Sequence, residues 1–238
     1  MRLKPFLLCL AAMLAALGLA EPALAQTAAG AGSDVARTAL ILTLLAVVPA
    51  ILVSMTSFIR IVIVLSMVRH AFGMPETPPN AVLVSLSLFL TAFTMSPVLS
   101  ELNRETVQPL LTGKMGVERA IETGSGPLRK FMLTQTRDSD IESIYAISNT
   151  PLPERPEQVE ILKLAPAFIL NELRVAFTIG FVILLPFLLI DLVVSSILLA
   201  LGMLMVPPTT LSLPIKVLMF VLIDGWSLVL EGVLGSFR

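Results

Sequence analysis

Five charged residues lie inside or beside sequence apolar enough for a bilayer: Glu172, Arg174, Asp191, Lys216 and Asp224, all between Ala167 and Trp226. An isolated charge at the centre of a membrane helix costs roughly 2.5–3.5 kcal/mol on insertion scales. Charges kept in such surroundings face other helices or an aqueous path. Asp191 and Lys216 stand on either side of the uncharged stretch Gly202–Pro214, and a fold-back of that stretch brings them together. Pairing spares each the full desolvation cost, and removing one partner is then expensive. Two roles fit the pair: a gating contact, or a structural salt bridge without one.

The uncharged loop begins Gly202-Met203-Leu204-Met205-Val206-Pro207-Pro208. Methionine is unbranched and polarisable, so it fills irregular gaps and adapts to changing shapes. One set of these side chains per subunit, arranged as a ring, would close around nothing and yield around a passing chain. Ordinary core packing accounts for the same residue types. Catalysis has little to work with. His70 is the only histidine and Cys9 the only cysteine, so a Ser-His-Asp arrangement or a His-rich metal site cannot form within one copy. There is no HExxH, P-loop or glycine-rich dinucleotide loop. Asp224-Gly225 lacks the second aspartate of an intramembrane aspartyl protease. An enzyme, a cofactor or a metal is not expected. A formal net charge of −1 gives no reason to expect nucleic acid.

The elements that must position these residues are helices. At 238 residues, 56% hydrophobic and 14% charged, with a mean hydropathy of +0.92, the chain lies outside the soluble globular class. Residues 1–25 read as a secretory signal peptide: Arg2 and Lys4, then the apolar Phe6–Leu19, then Ala23-Leu24-Ala25 before a cleavage site at Gln26. Cys9 would leave with it. Residues 26–37 are a flexible lead-in.

Residues 38–99 are expected to form a first hydrophobic hairpin. Its first arm, Thr38–Val68, would be roughly 45 Å long as a helix. Pro49 is placed to kink that arm, and Arg60 to snorkel or pair. A proline-rich connector over 69–80 leads to the second arm, Val82–Leu99. Residues 100–163 hold eight Lys/Arg and ten Asp/Glu, and read as a polar helical extracytoplasmic insertion too small for an enzyme. Residues 164–238 form a second hydrophobic region. Within it Leu164–Leu201 is too long for one straight span. Pro186 is expected to divide it into two half-spanning helices or a hairpin. The loop 202–214 follows, then a last segment, Ile215–Leu234. The predicted fold class is all-α, with helical hairpins of the integral membrane type and four hydrophobic segments after a cleaved signal. Cleavage would place both termini and the insertion outside the cytoplasm.

Several motifs taken together resemble the FliP family of the bacterial type III export gate. They are Thr56-Ser57-Phe58-Ile59-Arg60, Gly73-Met74-Pro75 with Pro78-Pro79-Asn80, Asn171-Glu172-Leu173-Arg174, the sequence around Asp191, Ala200–Pro208, Leu213-Pro214-Ile215-Lys216 and Asp224-Gly225-Trp226. The resemblance covers roughly residues 38–235. It implies a homo-oligomer of five copies that assembles with FliQ-like and FliR-like subunits. The product is a cone-shaped channel in the flagellar basal body of the inner membrane, through which unfolded flagellar proteins leave the cell. It also implies contact with other basal-body proteins, and a chain lying largely at the periplasmic level. Met203, Leu204 and Met205 would be the pore gasket, and Gly202, Pro207 and Pro208 would set the loop's geometry. Leu204 departs from the family's usual methionine there, which predicts a stiffer but still apolar seal. The signal peptide and the insertion favour the flagellar branch over the virulence systems. Against this stand two other functions: a small-solute or ion transporter with Glu172, Asp191 and Lys216 as a proton relay, and a scaffold that never lines a pore.

Overall fold

The computed structural model describes residues 53–74 and 76–237, together with the helical residues Ala39, Leu42, Thr43 and Ala46. The proposed signal peptide, the lead-in and the Pro49 kink lie outside the described residues. Among the described residues every regular element is helical.

Helix α1, Phe58–Ala71, buries Ile61, Val64, Leu65 and Val68 on one stripe, the i, i+3, i+4, i+7 spacing of a helix face turned to a core. That stripe packs most extensively against the long helix α7, Ile161–Ala200, and next against α2, Asn80–Thr94. Serine and threonine in the apolar α2 satisfy themselves locally: Ser87 Oγ donates to the Leu83 carbonyl and Thr91 Oγ1 to the Ser87 carbonyl, both at 2.7 Å.

Polar residues 100–163 fold into helices. After α3, Ser96–Leu102, come a wide π turn over Asn103–Val107 and the short α4, Gln108–Leu111. Helices α5, Val117–Gln135, and α6, Asp138–Ile147, follow. Met132, Ile141 and Tyr145 from α5 and α6 share a core with Leu164, Ala167 and Phe168 at the base of α7. The insertion is therefore built onto the foot of the long helix.

Three hydrophobic segments depart from expectation. Leu164–Leu201 is neither two half-helices nor a hairpin: α7 runs unbroken for 40 residues, with Pro166 and Pro186 inside it. Forty residues at 1.5 Å each make about 60 Å. Proline in a helix interior forfeits one backbone hydrogen bond and crowds the preceding turn, at a cost of about 3 kcal/mol. Here the next residue, Phe187, is buried against Phe72, 5.4 Å between ring centroids, and packing of this kind holds the helix through the defect.

The breaks fall elsewhere. Val82–Leu99 is interrupted at Met95, where α2 meets the following helical stretch at 64°; Pro97 sits in the first turn of α3, where it needs no amide partner. Ile215–Leu234 is likewise divided, into α8, Pro208–Leu222, and α9, Gly225–Gly235, bent by 68°. The uncharged loop is accordingly shorter than predicted, because α8 begins at Pro208 and Pro214 lies within it. Asp224 makes the second break, with a left-handed backbone at φ 49°, ψ 54°, a conformation its short polar side chain tolerates. The turn lays Trp226 edge-on against Phe220 at 5.4 Å, and Phe220 in turn against Phe72 at 4.7 Å.

Among the described residues one helix, α7, is long and apolar enough to cross a membrane, or up to three spans exist if each bent pair counts as one. The four-segment count is thus not reached among the described residues, partly because most of the first segment lies outside them.

Gly225 has to be glycine because a Cβ there would sit 2.1–2.6 Å from atoms of the Phe220 ring. Gly225→Ala should therefore cost about 1–3 kcal/mol by overpacking. Thermal unfolding of the purified protein in detergent checks this against Gly232→Ala, where an added Cβ meets nothing within 4 Å. Equal midpoints for the two variants would contradict it.

Candidate functional site

The charged residues singled out in the sequence fall at four separate places. The first lies deep in the fold. Arg60, on the buried stripe of α1, donates from Nε to Glu172 Oε2 at 2.8 Å, and its Nη2 bonds Glu172 Oε1. Both side chains are almost wholly buried. The remaining donors are also used: Nη1 reaches the Ser236 carbonyl at 2.8 Å and its hydroxyl at 2.9 Å, and Nη2 reaches Gln135 Oε1 at 3.3 Å. The Phe237 ring covers the guanidinium at 3.8 Å, a cation–π contact. A planar fork with five donors suits this meeting point better than an ammonium would. One residue thereby joins α1, the end of α5, α7 and the segment after α9.

Arg174, two residues on, goes elsewhere. Its two terminal nitrogens hold Asp140 of α6 at 2.7 and 2.8 Å. Asp140 is buried whereas Arg174 is half-exposed, so this fork pins the insertion to the long helix.

The third place is the α7–α8 hairpin. Lys216 Nζ lies 2.6 Å from Asp191 Oδ2. Lys216 is nearly buried, while Asp191 keeps more than a third of its side chain exposed. Asp191 Oδ1 is left without a partner among the described residues. From Asp191 to the end of α7 at Ala200 is about 14 Å at helical rise. There the helix stops in a Schellman turn: Met203 N–H bonds the Leu198 carbonyl at 2.9 Å and Gly202 N–H the Leu199 carbonyl at 3.0 Å. Gly202 takes φ +75°, which a side chain would strain. Pro208 then opens α8 in the first-turn position that suits it. Between these two stops the loop projects. Met203 is 43% exposed, Leu204 76% and Met205 96%.

Asp224, the fourth, is exposed at the α8–α9 bend and has no ion-pair partner among the described residues. The arrangement therefore brings Asp191 and Lys216 together and keeps Glu172, Arg174 and Asp224 apart. Glu172 and Asp191 are 19 residues apart on one helix, about 28 Å, with Arg174 the only charge between them. A relay through Glu172, Asp191 and Lys216 is not assembled in this chain. Asp140, Gln135 and Ser236 escaped the sequence reading, because residues this remote in the chain carry no local sign of whom they bond.

The sequence model of the FliP family matches residues 41–233. The chain belongs to the FliP family. It is 50% identical over 201 residues to flagellar biosynthetic protein FliP of Pectobacterium carotovorum, covering 84% of this chain and 78% of that protein. FliP of Bacillus subtilis is 43% identical over 205 residues, 86% of this chain and 93% of its own length. FliP of Caulobacter vibrioides is 42% identical over 212 residues, 89% and 80% respectively. The FliP match takes in the Arg60–Glu172 junction, the Asp191–Lys216 pair and the projecting loop.

Removing one partner of a buried pair strands the other charge, at a cost of about 3–5 kcal/mol. Glu172→Leu and Arg60→Met should each lower the unfolding midpoint in detergent sharply, and the double variant should recover part of the loss. A double variant as unstable as the sum of the singles would refute the coupling. For Asp191 and Lys216, Asp191→Lys and Lys216→Asp should each impair accumulation in membranes, and the exchange of both should restore it. An exchange no better than the single changes would rule out a functional contact.

Proposed function

We propose that this chain is a core subunit of the flagellar type III protein export gate, and that it does not act as an enzyme. Family membership supports the reading, and the relatives it matches bear the name flagellar biosynthetic protein. Five copies assemble with FliQ-like and FliR-like subunits into a channel in the inner membrane at the flagellar basal body, with much of the chain at the periplasmic level. Unfolded flagellar proteins pass through it.

The observation that carries the mechanism is the projecting loop. Met203, Leu204 and Met205 are apolar and exposed, yet the backbone on both sides is held by the Gly202 turn, Pro207 and Pro208. In a ring of copies such loops meet at the axis. Their methionines pack into a seal against ions when the channel is empty, and rearrange around a chain of varied side chains. Leu204, with a branched side chain between the two methionines, stiffens the ring. The Asp191–Lys216 contact braces the hairpin behind it. The cleaved signal peptide predicted for residues 1–25 fits the flagellar branch.

Two readouts on one strain test this. Deleting the chain should abolish flagellin in the culture supernatant, and restoring it should bring secretion back. A Met203→Ala, Met205→Ala version should still export flagellin but let ions leak, seen as a raised membrane permeability. Normal secretion without the chain would overturn the export role; unchanged permeability in the double-alanine version would overturn the gasket alone.

A further inference from the structure

Met203 and Met205 are the exposed methionines among the described residues, and Met205 is almost wholly so. The others are shielded. Met95 and Met132 are buried, while Met55, Met74 and Met219 pack onto the two cores. The Met67 sulfur lies where a side chain on Gly180 of α7 would stand. Met115, in the turn before α5, is half-buried. A thioether has no acidic proton, so pH does not gate its reaction with an oxidant as it gates that of a thiol. Access to the sulfur then decides which methionine reacts first. The Gly202 turn on one side and Pro207 and Pro208 on the other hold the loop in its exposed position.

The surroundings of the two sulfurs decide what oxidation would do. Between Gly202 and Pro214 no side chain is charged, and the first hydroxyl comes at Thr209. A sulfoxide oxygen is a hydrogen-bond acceptor that has to be satisfied. The side chains next to these methionines, Leu204, Val206 and Pro207, offer it no donor, so water has to supply one.

We propose that Met203 and Met205 form a site of reversible oxidation by hydrogen peroxide and related hydroperoxides, and that their sulfoxides loosen the seal. The inference rests on the reading of this loop as a gasket, and adds a chemistry that regulates it. Hydrogen peroxide is small and uncharged, and enters the channel mouth as far as the seal. A sulfur lone pair attacks one peroxide oxygen. The S–O bond forms, the O–O bond breaks, and the second oxygen leaves with both protons as water. Sulfur gives up two electrons and the peroxide takes them. A flexible apolar side chain thereby becomes a polar one, and water follows the new oxygen into the ring. Leu204 carries no sulfur and stays apolar, so part of the ring is spared. Two thiols reverse the step: they form a disulfide, the oxygen leaves as water, and the thioether returns, the reaction of methionine sulfoxide reductases.

The test uses the full chain in its native membranes and a limiting dose of hydrogen peroxide. Peptide mass spectrometry should find one added oxygen on Met203 and Met205 roughly tenfold sooner than on Met95 or Met132. Ion permeability of the same membranes should rise several-fold, and fall back after treatment with methionine sulfoxide reductases and a dithiol. Each variant is set against its own untreated membranes. The Met203→Leu, Met205→Leu version swaps sulfur for a hydrocarbon of similar volume, and its peroxide response should vanish. Met115→Leu, before α5, should keep the full response. Three results would overturn the proposal: oxidation no faster at 203 and 205 than at the buried methionines, sulfoxides at both positions without a change in permeability, or an undiminished response in the double-leucine version. A double-alanine version that leaks, beside native membranes that ignore peroxide, would sink the oxidation site and leave the gasket standing. A double-alanine version that stays tight would remove the gasket and this inference together.

Discussion

The buried contact between Arg60 and Glu172 is the constraint on which the rest of the chain is arranged. Two opposite charges taken out of water are costly unless their geometry is good and their remaining hydrogen-bond capacity is met. Here it is met by groups from remote parts of the sequence: the Gln135 side chain, the Ser236 carbonyl and hydroxyl, and the Phe237 ring. Each of those groups has to arrive for the charges to be satisfied. The end of α5 and the segment after α9 are thus fixed by the same guanidinium that fixes α1 on α7. A hydrophobic contact would tolerate small slips; a five-donor fork does not.

Around that point α7 serves as a common axis. Its foot carries the core shared with α5 and α6, its middle receives α1, and its upper part receives α8. Ion pairs mark the attachments: Asp140–Arg174 for the insertion and Asp191–Lys216 for the hairpin. These are not one functional centre. About 26 Å apart along the helix, they hold different parts of the chain to it.

The consequence is a division between stiff and adaptable regions. The aromatic cluster of Phe72, Phe187, Phe220 and Trp226 locks the bend at Asp224. The Met203–Met205 loop, by contrast, is anchored only at its ends and offers apolar side chains to whatever lies beyond the chain. The gasket proposed for this loop calls for that combination: ends that do not move and a middle whose side chains repack at low cost.

Much of this was legible in the residues. Composition and hydropathy determined an all-helical chain built from apolar segments around a polar insertion, because the backbone in such surroundings must bond to itself. The motifs around Arg60, Glu172, Asp191, the Gly202–Pro208 loop and Trp226 determined the family. Tertiary structure decided the rest. Proline was an uneven guide to where helices break: Pro186 is carried through by packing, while the bends fall at Met95, just ahead of Ser96-Pro97, and at Asp224-Gly225. The charges inside apolar sequence announced that each needed a partner. Which partner was decided only by packing, since Arg60 and Glu172 lie 112 residues apart and Arg174 and Asp140 lie 34 apart. Local sequence sets the cost of leaving a charge alone, and the assembled fold sets who relieves it.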